Sequence, residues 1–401
     1  MSKRFLLFIH CALFSSLTAL AQPLSPSARI SLITVSPGAE LYSSFGHTAI
    51  RVYDPVIGVD KVYNYGTFDF RTDNFYLKFM QGTLPYQLSV SDMSTMVYGS
   101  QYENRSVKEQ VLNLSMAQRQ RLSDLLETNY LPENRSYRYK FYYDNCSSRP
   151  RDIIAKAAAD SIKFSQSFNL GTKSFREWMN DYLGNQPWAR FGMNVGLGRP
   201  SDETASDYQE MFLPENLYQQ FAHATILQPD GRPAPLVTAD QTVFQAIQTN
   251  QPPTPFYATP EFVFGMVLLV VLILTGRQLR RRQSGYWLDR VLFGFAGICG
   301  WVLLLLWVAT DHGVTAWNPS LVWLPPFHMP LIFWATQPGH PKRTVNYFRV
   351  TFALALISLI LYGANVPGQA DSLFILTLLV RCAYHMFITH KAQQPVLTNA
   401  A

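Results

Sequence analysis

Cysteine is scarce in this chain, with four in 401 residues. Cys11 lies in an apolar N-terminal stretch, and Cys299 and Cys382 lie in long apolar runs towards the C-terminus. Only Cys146 falls in the mixed-polarity region between them. A solitary cysteine has no intrachain disulfide partner, which excludes a disulfide-stapled scaffold and leaves a free thiol. Also missing are a His/Cys spacing suited to a metal, a glycine-rich phosphate loop and a serine-centred nucleophile elbow. The exported part has no internal repeat. No metal or organic cofactor is expected.

Long apolar runs are abundant at the C-terminal end, at 261–276, 291–310, 319–336, 348–364 and 372–389. Each is close to the length that crosses a bilayer, so the expectation is a five-helix transmembrane domain over 260–392 with a cytoplasmic tail at 393–401. The third run carries Pro325, Pro326 and Pro330, which points to a broken or re-entrant helix. The first 21 residues have a charged start (Lys3, Arg4), an apolar stretch and Ala19-Leu20-Ala21, the pattern of a cleaved secretory signal. Basic residues cluster in alternate loops: Arg277, Arg280, Arg281, Arg282 and Arg290 in one, Lys342, Arg343 and Arg349 in another. The loops at 311–318 and 365–371 carry no Lys or Arg. This alternation places the intervening domain outside, in the periplasm of a multi-pass inner-membrane protein. The +6 net charge follows from the same pattern, because residues 260–401 hold ten Lys/Arg against four Asp/Glu. The basic balance is therefore a topology signal, and a nucleic-acid partner is not expected.

Residues 22–227 are long enough for one globular domain, and 228–259, rich in Pro, Gln and Thr, read as a semi-rigid tether. Strands are expected at Arg29–Val35, His47–Tyr53, Lys61–Tyr65, Tyr86–Ser91, Ser106–Leu114 and Tyr137–Tyr143. Helices are expected at 72–80, after the capping-box pattern Ser115–Gln118, from Cys146 through 149–159, and from a cap at Thr172 to Gly184. The fold class is α+β: a small antiparallel sheet with helices packed on it.

Cys146 stands in Tyr-Tyr-Asp-Asn-Cys-Ser-Ser-Arg (142–149), at a helix start. The helix dipole and free amides there favour thiolate, Asn145 suits the cap, and the local amides, with Asn145, are candidates for an oxyanion hole. His47, after Gly46 at the head of a strand, is the candidate general acid and base. Asn64 on the partner strand is the candidate that orients its ring. The plainer readings are a buried apolar cysteine, an ordinary core or surface histidine, and an asparagine that serves a turn.

The order of histidine strand, partner strand and Asn-Cys helix start resembles the circularly permuted papain-like fold of NlpC-type and lecithin:retinol acyltransferases. Their Asn-Cys-Glu-His motif is not matched by Asn145-Cys146-Ser147-Ser148. Ser-Phe-Gly-His (44–47), Tyr-Asn-Tyr-Gly-Thr-Phe-Asp-Phe (63–70), Asp-Asn-Cys-Ser-Ser-Arg-Pro-Arg-Asp (144–152) and the five apolar runs together resemble the Lnb family of membrane lipoprotein N-acyltransferases. That resemblance implies transfer of a fatty acyl group from a membrane phospholipid donor, through a Cys146 thioester, to the α-amino group of a diacylated lipoprotein acceptor. Two other classes stay open: a cysteine hydrolase of the same fold (a peptidoglycan amidase or endopeptidase, or a phospholipase), and a non-enzymatic membrane scaffold or sensor.

Secondary candidates are polar. Arg149 or Arg151 could grip a lipid phosphate, or form ion pairs on a helix surface. Arg51 is equally open. Tyr65, Phe68 and Phe70 could line an acyl groove or serve as core. Residues 187–214 could be a lid or a packed loop. Asp311 and His312, at the outer end of the second apolar run, are candidates for substrate contact or for a simple interfacial role.

Overall fold

A computed structural model describes residues 22–165, 170–247, 254–281, 285–365 and 369–393. The expected signal peptide and nearly all of the expected tail lie outside the described residues. The chain forms two compact units: Met1–Lys173 with Thr204–Thr249, and Ser174–Glu203 with Asn250–Ala401.

The first unit is built on an antiparallel sheet of seven strands: β1 (Arg29–Val35), β2 (His47–Asp54), β3 (Val59–Thr67), β4 (Pro85–Ser91), β5 (Val107–Leu112), β6 (Ser136–Arg138) and β10 (Val237–Phe244). Their order across the sheet is β10-β5-β1-β2-β3-β4-β6. A second, three-stranded sheet joins β7 (Ile162–Lys163), β8 (Thr225–Leu227) and β9 (Pro233–Pro235). Helices of this unit are α1 (Phe75–Gln81), α2 (Met93–Tyr102), α3 (Met116–Tyr130), α4 (Ser148–Ala158) and α7 (Pro214–His223).

Both faces of the large sheet are covered, which is why its strands look only roughly alternating. Ile30, Leu32, Ile50, Val52, Tyr63 and Tyr65 pack with Leu122 and Leu126 of α3, Ile154 of α4 and Phe221 of α7. The opposite side chains, Ile33, Val35, Ala49 and Val62, pack with Met93 and Met96 of α2. The α+β class holds. The capping box at Ser115 and Gln118 closes reciprocally and starts α3.

Two readings change. The strand expected over Tyr137–Tyr143 covers only Ser136–Arg138; beyond it the chain turns, and Lys140 bridges Asp144. The tether expected over 228–259 also contributes structure, since Val237–Phe244 pairs with β5 as an edge strand. That strand is polar and almost wholly exposed, so it carries no alternation to signal it.

The second unit contains α8 (Pro260–Arg281), α9 (Trp287–Val308), α11 (Pro341–Asn365) and α12 (Gln369–Gln393), which among the described residues are the four helices long and apolar enough to cross a membrane. The proline-bearing third run is broken: a 3-10 turn at Pro319–Val322 leads to the short α10 (His328–Ala335). Residues 174–203, expected inside the exported domain, belong to this unit instead. They form α5 (Phe175–Tyr182), capped by Ser174 in place of the expected Thr172, and α6 (Pro187–Gly196). Asn318 Nδ2 donates to the Val195 and Gly196 carbonyls, and the Phe191 ring meets Phe264 of α8 at 5.2 Å. The 187–214 stretch is thus packed structure in its first part.

Within the helices, Arg381 of α12 is fully buried and donates through Nε and Nη2 to Asp289 of α9, both at 2.8 Å. His385 Nε2 lies 2.7 Å from the same carboxylate, and Arg381 Nη1 donates to Thr275 and Gln278 of α8. Three helices therefore share one charge pair. Replacing Arg381 by Ala leaves the buried Asp289 carboxylate with His385 as its remaining partner, a loss of up to about 3–5 kcal/mol. The thermal midpoint of the detergent-solubilised protein is expected to fall accordingly, and a Asp289→Asn/Arg381→Gln double variant to recover part of it.

Candidate active site

β2 enters the sheet through Gly46, where φ is +81° and a Cβ would lie 2.8 Å from the Val35 carbonyl oxygen, so a side chain is excluded. His47 follows, paired across the sheet with Val35 and half-buried. Its Nε2 lies 3.4 Å from Asn64 Oδ1 on β3, a long hydrogen bond. Asn64 Nδ2 donates to the Val62 carbonyl and towards Ser91 Oγ, so its oxygen is the atom turned to the ring. The imidazole then carries its proton on Nε2 and keeps a lone pair on Nδ1.

Cys146 sits at the first turn of α4. The regular helix starts at Ser148, but its hydrogen bonding begins earlier: the Asn145 carbonyl accepts from Arg149 N–H. Asn145 Oδ1 accepts from Ser147 and Ser148 N–H at 2.7 and 2.8 Å, and Asn145 N–H donates to Ser148 Oγ. This is a reciprocal cap. Asn145 Nδ2 gives its hydrogens to the Phe141 and Phe212 carbonyls. The side chain is thereby fully used as a cap and has no hydrogen left for an oxyanion, which corrects the second role considered for it.

The thiol meets β2 directly. The backbone amides of Thr48, the residue after His47, and of Cys146 itself lie close enough to the sulfur to favour its charged form. Buried Thr48 Oγ1 and Ser147 Oγ share a 2.8 Å hydrogen bond, tying the strand to the helix start. Gly66 of β3 completes the contact: at φ +89°, a Cβ there would lie 3.4 Å from Cys146 Cβ and 3.2 Å from the Tyr139 ring. Tyr139 O–H points to Cys146 Sγ at 3.9 Å and its ring stacks on Tyr86.

Burial decides the charge state. It lowers the His47 pKa from 6.5 to about 4, with Arg105 adding to the effect and the Asn64 hydrogen bond opposing it. Burial also pushes the Cys146 thiol up, against the Tyr139 hydroxyl, the Thr48 and Cys146 amides and the Arg105 charge. The expected helix-dipole thiolate gives way to this desolvation. Desolvation thus favours the neutral form of both the Cys146 thiol and the His47 imidazole.

Arg149 and Arg151 have other partners. Arg149 forms a two-pronged ion pair with Asp144, at 2.5 and 2.8 Å, and lies over the Tyr137 ring. Arg151 is buried, paired with Asp152, and donates to the Tyr208 carbonyl. Arg51 pairs with Asp60 and Glu109. Of the expected groove residues, Tyr65 is core, while Phe68 and exposed Phe70 are not. Asp311 and His312 follow α9 in the second unit, whereas His47 and Cys146 belong to the first. Two residues escaped the sequence reading. Tyr139 sits in an aromatic run that looked like a plain strand. Arg105 is buried, spends Nε on the Ser36 carbonyl and Nη1 on Glu103, and leaves Nη2 unpaired among the described residues.

The molecule thus combines an α+β domain, in which a cysteine at a helix start meets a histidine strand, with a polytopic helical unit. Residues 20–180 match the Lnb N-terminal periplasmic domain and residues 251–393 match the Lnb transmembrane domain. The two spans together cover well over half of the chain, and the chain belongs to the Lnb family. No curated protein and no solved structure matches it.

A neutral pair has a signature in thiol reactivity. Alkylation of Cys146 by iodoacetamide is expected to climb steadily through the alkaline range, without the plateau between about pH 5 and about pH 8 that a preformed thiolate–imidazolium pair gives. Mass-spectrometric quantification of the labelled peptide across pH measures this, and a flat neutral plateau contradicts the neutral pair.

Proposed function

We propose that this protein is a lipoprotein N-acyltransferase in which Cys146 is the nucleophile and His47 the general acid and base. The observation that carries the reading is the meeting of the Cys146 thiol with the strand that begins at His47, in a chain of the Lnb family. The membrane unit supports lipid-borne substrates, a phospholipid as acyl donor and a diacylated lipoprotein as acceptor.

The chemistry runs in two half-reactions. In the first, Nδ1 of His47 takes the thiol proton as Sγ attacks the ester carbonyl of the phospholipid. The Thr48 and Cys146 amides, which lie near the sulfur, and the Tyr139 hydroxyl are the donors proposed for the oxyanion. The carbon–oxygen ester bond breaks, the alkoxide takes the proton from His47, and the acyl group stays as a thioester. In the second, the α-amino group of the diacylglyceryl-cysteine attacks the thioester carbonyl. His47 receives its proton, the carbon–sulfur bond breaks, and the thiol is restored with an amide as product. Asn64 acts on the ring alone, as a positioning residue that fixes its tautomer. A neutral base starting from a neutral thiol suits a dry site, because neither group must be held charged between turnovers.

Two measurements test this. Cys146→Ala in cells that rely on this protein is expected to abolish N-acylation, read by mass spectrometry of lipoprotein N-termini; undiminished triacylated product overturns the proposal. The kcat/KM of the purified full chain is expected to keep its acid limb near pH 4, the His47 value, instead of near 6.5, since the imidazole stays a competent base down to its depressed pKa. Loss of activity on passing below about pH 6.5 would contradict the desolvated histidine.

A further inference from the structure

We infer that α1 and the loop before it form a bilayer-docking element, whose occupant is the acyl region of the phospholipid leaflet facing the first unit, and that this element admits donor chains towards Cys146. The second half of this inference rests on the acyltransferase reading; the first half does not.

Helix α1 has the sequence Phe-Tyr-Leu-Lys-Phe-Met-Gln and buries no residue. Tyr76 is 77% exposed, Met80 56%, Phe79 52% and Leu77 50%, and Phe70 just ahead of the helix is 67% exposed. A helix this short does not persist on propensity alone. Here its ends are fixed by left-handed Asn74 and Gly82, and Thr83 N–H returns to the Lys78 carbonyl. Its base is a cluster of rings: Phe75 meets Phe70 at 4.9 Å and Phe68 at 5.9 Å, and stacks with Phe79. The patch is therefore an ordered apolar platform. Lys78 is the one basic side chain within the helix, and Arg71 ahead of it is paired with Asp69, so the surface is mainly apolar.

An apolar platform of this kind marks a surface for lipid or protein. The rest of the chain selects lipid. Four helices of the same polypeptide are long and apolar enough to cross a bilayer, and the chain passes between the two units three times. Fifteen residues separate the end of β10 at Phe244 from the start of α8 at Pro260, a reach of at most about 50 Å even when fully extended. The first unit that carries this surface is thus covalently tethered to helices able to cross a bilayer.

The platform also leads inward. Phe68 contacts Phe70 at 5.0 Å and Tyr86 at 5.4 Å; Tyr86 stacks on Tyr139 at 4.6 Å; and Tyr139 O–H reaches towards Cys146 Sγ at 3.9 Å. The β3–β4 pairing is irregular between Asn64 and Thr67, beside Gly66, where this path arrives at the thiol. An ester carbonyl delivered to Cys146 keeps its chain against rings along this route instead of in water.

The test uses the full chain in nanodiscs of palmitoyl-oleoyl phosphatidylethanolamine and phosphatidylglycerol containing phospholipid with a nitroxide on the acyl chain. Cys11, Cys146, Cys299 and Cys382 are replaced by Ala, and a fluorophore is attached at Tyr76→Cys, Met80→Cys or, as an exposed control, Glu133→Cys. Labels at 76 and 80 are expected to be quenched several-fold more strongly than the label at 133; equal, weak quenching at all three overturns the docking. In the native-cysteine chain, Phe70→Gln/Phe79→Gln is expected to leave Cys146 alkylation by iodoacetamide unchanged while acyl transfer from the same phospholipids falls about tenfold. Unchanged transfer overturns the delivery role. Quenching at 76 and 80 in a protein that never forms a Cys146 thioester keeps the docking and removes the acyltransferase reading instead.

Discussion

The position of Cys146 depends on one side chain that performs no chemistry. Asn145 accepts from two amides of the α4 start and donates to two carbonyls, Phe141 in the preceding turn and Phe212 in the 3-10 turn ahead of α7. Four backbone groups from three segments converge on one buried amide. Each would be an unpaired polar group in the core without it. The bond between Thr48 and Ser147 then joins this knot to β2. The bonds of this knot are all made by the neighbours of Cys146, and none of them uses its sulfur.

Burial is the second constraint, and it acts on both members of the pair in the sense that removes charge. The thiol is raised and the imidazole lowered, which in the mechanism proposed above leaves proton transfer for the moment of attack. An exposed thiolate would be open to oxidation; a half-buried neutral thiol is less so. The same desolvation would protect a thioester from water.

Much of the first unit was legible in the sequence, for reasons that can be named. β1 matches its expected bounds because its apolar run is flanked by polar residues. The Ser115–Gln118 box announced α3, and Asn-Cys before an Ala- and Ile-rich stretch announced α4. The candidate site residues could be named from the sequence because Cys146 stood alone and His47 and Asn64 lie on the two strands of one hairpin. What escaped detection was non-local. Val237–Phe244 is an edge strand with no alternation, and nothing in its residues says that β5 is waiting for it. Ser174–Glu203 looks like any soluble amphipathic stretch, and only its bonds to Asn318 and Phe264 assign it to the membrane helices. Tyr139 was hidden among similar aromatics, and its relation to the sulfur exists only after the turn at Lys140.

The residue exchange between the units has a consequence for how this architecture can change. The two family matches stop at 180 and resume at 251, and the stretch between holds α6, α7, the small sheet's last strands and β10. Part of that stretch completes the second unit and part completes the edge of the first unit's sheet. A cut at any single point before β10 therefore leaves one half short of its own material. The two halves are laced by the chain and cannot be traded as independent cassettes. A lineage that changed the membrane unit would have to carry this intervening segment along with it.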